Sequence, residues 1–206
     1  MRTTRPLIRR ACLAAVAVSA ALTLTACGGE SDDGGAADTS PAASADASAA
    51  AHNEQDVSFA QGMIPHHEQA VEMARLAADR ASSAEVKDLA ARVEKAQGPE
   101  ISTMTDWLKT WGEDVPESMP GMDHSGMAGM AGMMSTEDME KLGKASGKDF
   151  DSMFLTMMVE HHEGAVEMAT TEQDKGAYKA ATAMAGDIVT TQNAEINEMK
   201  KILGEK

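Results

Sequence analysis

Apolar residues recur at intervals of three and four along four long stretches of this chain, and nowhere alternate with polar residues as a half-buried strand would require. Phe59, Met63, His66, Ala70, Met73 and Ala77 lay one buried stripe along a predicted helix over about 54–79. Val86, Leu89, Val93, Gln97, Glu100 or Ile101, Met104 and Leu108 do the same over about 83–111, with Ser82 or Ser83 as N-cap and Gly112 and Pro116 as the stop. The pattern then dissolves into a loop dense in Gly and Met, running to Met134. Ser135–Thr136–Glu137–Asp138 has the form of a capping box and predicts a short helix to about Lys144. Phe154, Met158, His161, Ala165 and Met168 predict a third long helix over about 148–172. Ala181, Met184, Ile188, Gln192, Glu195 or Ile196, Met199 and Leu203 predict a fourth over about 175–203. The fold class is all-α.

The two halves are one unit written twice. Residue i matches residue i + 95, and residues 56–74 share 11 of 19 positions with 151–169. The register survives without a gap into the second helices, pairing Gln97 with Gln192, Glu100 with Glu195, Ile101 with Ile196 and Met104 with Met199. A helical hairpin that packs its stripe against its own copy makes a four-helix bundle. The expected domain is 54–206, with a first hairpin over 54–112, a Met-rich crossover with the short helix over 113–147, and a second hairpin over 148–206.

The repeat carries the candidate chemistry. Four of the six histidines stand in Met63–Ile64–Pro65–His66–His67–Glu68 and Met158–Val159–Glu160–His161–His162–Glu163. On a helix the methionine lies one turn below both histidines, so thioether and imidazole meet on one face. Flanking positions differ between the copies (Pro65/Glu160, Gln69/Gly164), whereas the methionine and both histidines do not. Met63, His66, His67, Met158, His161 and His162 are therefore the candidate metal ligands. Imidazole with thioether suits Cu(I), with Cu(II) served by imidazole and Ag(I) as a surrogate. Zinc would more typically recruit a third histidine or a carboxylate. His66 and His161 fall on the core stripe; His67 and His162, rotated about 100° from it, are expected on a reachable flank. Glu68 and Glu163 are expected to accept from a ring N–H. The Gln-x-x-Glu pairs at 97–100 and 192–195 offer interhelical hydrogen bonds or carboxylate ligands. Pro65 frees the Gln61 carbonyl, at ~3 kcal/mol, and predicts a kink just ahead of the first pair.

The crossover is a second signal. Met119, Met122, His124, Met127, Met130, Met133 and Met134 follow one another at short spacing among glycines. In a loop this density of exposed methionine reads as a flexible thioether chelator for Cu(I) or Ag(I).

Charge and the N-terminus set the surroundings. Arg2, Arg5, Arg9 and Arg10 precede an apolar run from Ala11 to Leu24, which is a signal-peptide pattern, too short for a spanning helix. Leu24–Thr25–Ala26–Cys27 has the form of a bacterial lipobox, which predicts cleavage after residue 26, lipidation of Cys27 and anchoring to the cell membrane from outside the cytoplasm. Export by the Sec or the twin-arginine route stays open. Residues 27–53 hold Gly, Ala, Ser and Asp with no large apolar side chain and read as a disordered tether, reaching roughly 30 Å, with His52 inert within it. The chain has net charge −15; residues 1–26 hold four arginines and no acid, so without them the charge is four units more negative, −19. That charge argues against nucleic acid and against adhesion to anionic lipid. The other cysteine, Cys12, lies in the signal, so the domain has no thiol for disulfide, thiolate or thioester chemistry.

With these residues in place, the chain resembles the domain-of-unknown-function 305 family, whose copper-binding members include the CopM-like proteins. The resemblance rests on Asp56-x-x-Phe59-x-x-x-Met63-x-x-His66–His67, its copy from Asp151 to His162, the Gln-x-x-Glu-Ile helices and the Met-rich crossover, and it covers about 54–203. It implies a ferritin-like four-helix bundle and, for some members, extracytoplasmic copper binding and tolerance. The reading is a binding protein rather than an enzyme, one that buffers, sequesters or hands on copper to a partner the sequence does not identify. Two alternatives stand beside it. A di-metal oxidase would want Glu-x-x-His on two helices, which the repeats lack. A non-metal structural or partner-binding bundle would have its histidines satisfied in the core.

Overall fold

The computed structural model of the protein describes residues 51–117 and 130–204. The expected signal peptide, Cys27, most of the expected tether, and Met119, Met122, His124 and Met127 lie outside the described residues. Five helices appear among those described: α1 (Glu54–Arg80), α2 (Ala84–Trp111), α3 (Thr136–Lys144), α4 (Gly147–Lys175) and α5 (Lys179–Leu203). The fold is all-α, two hairpins α1–α2 and α4–α5 that meet along α1 and α4, with the short α3 lying on both.

Local signals explain most of the boundaries. Asn53 caps α1 in a full capping box, its side chain taking the N–H groups of Gln55 and Asp56 while Asp56 takes that of Asn53. Ser83 and Ser135 cap α2 and α3. Gly112, at φ 77°, ends α2 in the left-handed conformation that glycine adopts without strain. Helix α1 runs unbroken through Pro65, and α2 through Pro99. His52, expected to be inert, has its ring stacked on Trp111 at 4.4 Å.

One boundary departs from the pattern. The fourth long helix, expected from about Lys175, starts at Lys179, because α4 continues to Lys175 and a turn through Gly176–Ala177 separates the two. Tyr178 at the α5 N-cap position makes no side-chain capping bond. The cap comes from the other hairpin: Asp56 Oδ1 accepts from Tyr178 N at 2.9 Å and Ala177 N at 3.1 Å. The repeat does the same in reverse. Asp151, on α4, accepts from Ser82 N and Ser83 N, each at 3.0 Å, and from the Ser82 hydroxyl, at the start of α2. Each hairpin thus caps the second helix of its copy, placing carboxylates at helix N-termini where the backbone dipole favours them. These reciprocal bonds fix the register of the two hairpins about a pseudo-twofold axis.

The crossed caps differ in one respect. Glu172, fully buried beside Asp56, stands where the first repeat has Ala77. Burial first, then the Asp56 carboxyl, push Glu172 up to about 8. Burial alone would raise Asp56, but Glu172 and the N–H groups of Asn53, Tyr178 and Ala177 outweigh it and hold Asp56 below its usual range. Glu172 therefore prefers to be protonated in the folded state, relative to an ordinary 4.5 when unfolded. Its contribution is fully present below about pH 4.5 and is lost as pH rises to about 8, at up to about 1.4 kcal/mol per pH unit. Urea denaturation across this window should show the decline in wild type, and Glu172→Gln should flatten it.

The core divides into two apolar clusters. One gathers Phe59, Met63, Ile64, Met104, Leu108, Ala165 and Ile188. The other gathers Met73, Leu89, Val93, Phe150, Phe154, Met158 and Met199. The repeated methionines fall in different clusters, as the pseudo-twofold requires, and the polar residues buried with them are mostly those singled out by the repeat. Met168, expected on the core stripe, is half-buried; Ala169 takes the core position instead.

Candidate metal centre

Helices α1 and α4 cross with their histidines in contact. The rings of His66 and His161 lie 3.8 Å apart between centroids, tilted by 45°. His162 lies 6.4 Å from His161. All four imidazoles, His66, His67, His161 and His162, are fully buried. The expectation that His67 and His162 sit on a reachable flank is thus overturned. A flank 100° from the core stripe is exposed on a helix with one packed face, but α2 and α5 cover the flanks of α1 and α4.

Those covering helices also supply the ring partners. His67 Nε2 lies 2.8 Å from Glu100 Oε2, and His162 Nε2 lies 2.7 Å from Glu195 Oε2. Glu68 and Glu163, expected in this role, do not fill it; Glu163 accepts from Lys200 at 2.7 Å. The Gln-x-x-Glu pairs therefore split. Their glutamates hold the imidazoles, while Gln97 and Gln192 are buried, with both amide atoms of Gln97 and Oε1 of Gln192 unpartnered. The third ring nitrogen with a partner is His66 Nε2, 3.1 Å from the Ala131 carbonyl.

These contacts decide which ring nitrogens donate. A carboxylate or a carbonyl can only accept, so Nε2 of His66, His67 and His162 donates, and on His66, which burial keeps neutral, the lone pair sits on Nδ1. The Nδ1 atom of each of these three rings is buried without a partner, and His161 lacks a partner of full hydrogen-bond geometry at either nitrogen. Protons do not compete for these lone pairs on the two central rings. Burial first, then the His67 ring, lower His66 to about 3, against weak opposition from the Ala131 carbonyl. Burial first, then His66, His162 and His67, hold His161 well below its usual range. The centre is a cluster of four buried imidazoles, each with an unpartnered Nδ1, in which Nε2 of His66, His67 and His162 is bonded outward.

The thioethers flank this cluster. Met63 and Met158 are fully buried one helical turn before their histidine pairs, each in a different apolar cluster. Among the described residues no three His, Cys, Asp or Glu side chains converge as a ready-made metal cluster.

Of the crossover methionines, Met130 and Met133 are half-buried, and Met134 is buried in the core with Phe150 and Leu142. Its expected exposure is corrected, because the segment has already docked on the bundle by this point. Gln69, noted in the sequence only as a position where the repeats differ, pairs with the Met134 backbone through both of its amide atoms. The only signal for it in the sequence was the difference between the repeats at this position.

Residues 56–203 match the family described as Domain of unknown function (DUF305). A DUF305 protein of Streptomyces coelicolor, provisionally described as secreted, is 33% identical with a TM-score of 0.65, covering 74% of this chain and 95% of that one. CopM in its Cu(II)-bound form is 32% identical with a TM-score of 0.60, covering 71% and 93%. CopM in its Cu(I)-bound form is 30% identical with a TM-score of 0.58 over the same shares. Among curated proteins none matches the chain.

Proposed function

The chain belongs to the DUF305 family, and from that membership and its buried imidazole cluster we propose that it binds copper outside the cytoplasm, preferring Cu(I) to Cu(II). The observation that carries this is the set of unpartnered Nδ1 atoms on His66, His67, His161 and His162. An unsatisfied buried polar group costs about 1–3 kcal/mol, and a fold that places four such imidazoles in one layer incurs that cost repeatedly. A cation that accepts lone pairs accounts for it. The donor set fits a soft ion: imidazole, thioether from Met63 and Met158, and no thiolate. An ion here would draw on the thioether sulfurs of Met63 and Met158 as well as on imidazole nitrogen. Glu100 and Glu195 fix the orientation of His67 and His162, as carboxylates do for metal-bound histidines. The related CopM has been solved with Cu(I), Cu(II) and silver bound.

The wider reading is a protein anchored by a lipid on Cys27, held off the membrane by the tether, that buffers copper or hands it to a partner rather than catalysing a reaction. Among the described residues no helix is long and apolar enough to cross a membrane. Met119, Met122, His124, Met127, Met130 and Met133 would collect the ion at lower affinity and pass it inward. A Cu(I) competition titration should compare wild type, the His66/His67/His161/His162→Ala variant and a deletion of Met119–Met127. The histidine variant should lose the tightest binding, and the deletion should keep it while lowering the stoichiometry. Equal affinity in all three would exclude the histidine centre.

A further inference from the structure

Gln69 and Gly164 occupy the same position in the two repeats, and both touch the segment Met130–Met134. Gln69, 1% exposed, donates from Nε2 to the Met134 carbonyl at 3.0 Å and accepts from Met134 N at 2.8 Å. Its amide grips one backbone residue as a neighbouring strand would. On the facing wall, a Cβ at Gly164 would come within 2.1 Å of the Ala131 carbonyl oxygen and 2.8 Å of Gly132 Cα. Gly132 itself, at φ +78°, passes so close to α4 that a Cβ would lie 2.7 Å from Glu160 O and 2.9 Å from His161 O. Between these walls the Ala131 carbonyl takes the proton of His66 Nε2.

The layering gives this contact a consequence. Ala131 is exposed, whereas His66 and His161 directly beneath it are fully buried. Among the described residues, Met130–Met134 is the segment that lies over His66 on this side, with Ala131 facing outward. A depression of about 200 Å³ lined by Phe59, Ala131, Glu167 and Met168 reaches its outer edge. The crossover occurs once while the repeat occurs twice, so a pseudo-twofold centre can be covered by it only if the repeats differ where they meet it. Position 69/164 is such a place, a long amide on one wall and no side chain on the other.

We infer that Gln69 is a positioning residue that, with Gly164, seats Met130–Met134 as a closure over the histidine centre and so sets the rate at which a soft metal ion enters and leaves. This rests on the copper-binding reading above. Passage on this side requires the two Gln69 bonds and the His66–Ala131 bond to open together. Losing the Gln69 pair should speed that opening by about tenfold or more, at about 1 kcal/mol per bond.

The test uses Gln69→Leu, which keeps the volume and removes both bonds, and Gly164→Ala, which forces the segment off the opposite wall. Amide hydrogen exchange at Met134 in the metal-free protein reports seating. Transfer of Cu(I) from the loaded protein to a chromophoric Cu(I) chelator reports release. Both variants should exchange Met134 faster and release Cu(I) about tenfold faster, whereas loss of a merely structural contact would lower the metal-free Tm and leave the release rate unchanged. Should Gly164→Ala fail to fold, Gln69→Leu carries the measurement alone. Faster exchange with release at the wild-type rate would overturn the inference, as would undiminished protection of Met134 in a folded Gln69→Leu. If wild type takes up no Cu(I), the binding reading fails first, in the loading step, and the inference falls with it.

Discussion

Asp151→Ala should lower the unfolding free energy of the metal-free protein by about 3 kcal/mol, and by up to about 5, when measured by urea denaturation. The carboxylate accepts from two backbone N–H groups and a hydroxyl at the start of α2, and hydrogen bonds to a charged group contribute about 1.5–3 kcal/mol each. Alanine removes all three and opens the register between the hairpins, because the bonds cross from α4 to the α1–α2 turn. Asp151→Asn should recover part of the loss, since its amide oxygen still accepts. Asp56→Ala should cost less at pH 8 than at pH 5. At the higher pH, removing Asp56 also relieves Glu172 of a carboxylate neighbour that disfavours its ionisation. A surface role for either aspartate predicts a loss below about 0.5 kcal/mol and no crossed effect.

The fold was legible because its signals are local or periodic. Phe59, Met63, Ala70 and Met73 announce a buried face by spacing alone, and the offset of 95 carries that face into the second hairpin. The crossed caps were not legible in the same way. Asp56 and Asp151 stand out as repeated residues, but their partners lie in the other hairpin's turn, a relation that no window of sequence contains. The same limit governs the histidines. Their pairing and their methionines are readable from helix geometry, whereas the choice of Glu100 and Glu195 over Glu68 and Glu163 depends on which helix packs alongside. His67 and His162 were misplaced for that reason: rotation from a stripe predicts exposure only when one face of the helix is covered. Position 69/164 inverts the ordinary reading of a repeat. A difference between copies there marks the contact with the one element that was not duplicated.

His161→Leu separates a metal centre from a structural core histidine by the sign of its effect on stability. A structural histidine is kept for the hydrogen bonds it makes, and His161 makes none of full geometry while both its ring nitrogens are buried. Leucine of similar volume removes two unsatisfied polar atoms from the interior, and that should stabilise the metal-free protein by about 1–3 kcal/mol in urea denaturation. His162→Leu provides the contrast. It strands Glu195, whose side chain is 11% exposed, and should destabilise. Metal affinity should move oppositely for His161. Loss of a mere outer partner of a metal ligand costs about 10–100-fold in affinity, so loss of a ligand should lower Cu(I) affinity by at least that much in the competition titration. A His161→Leu variant that is both less stable and equally able to bind Cu(I) would place the residue in the core as packing. A more stable variant that has lost its copper would identify the unsatisfied imidazole as a position where stability is given up so that a ligand can be bound.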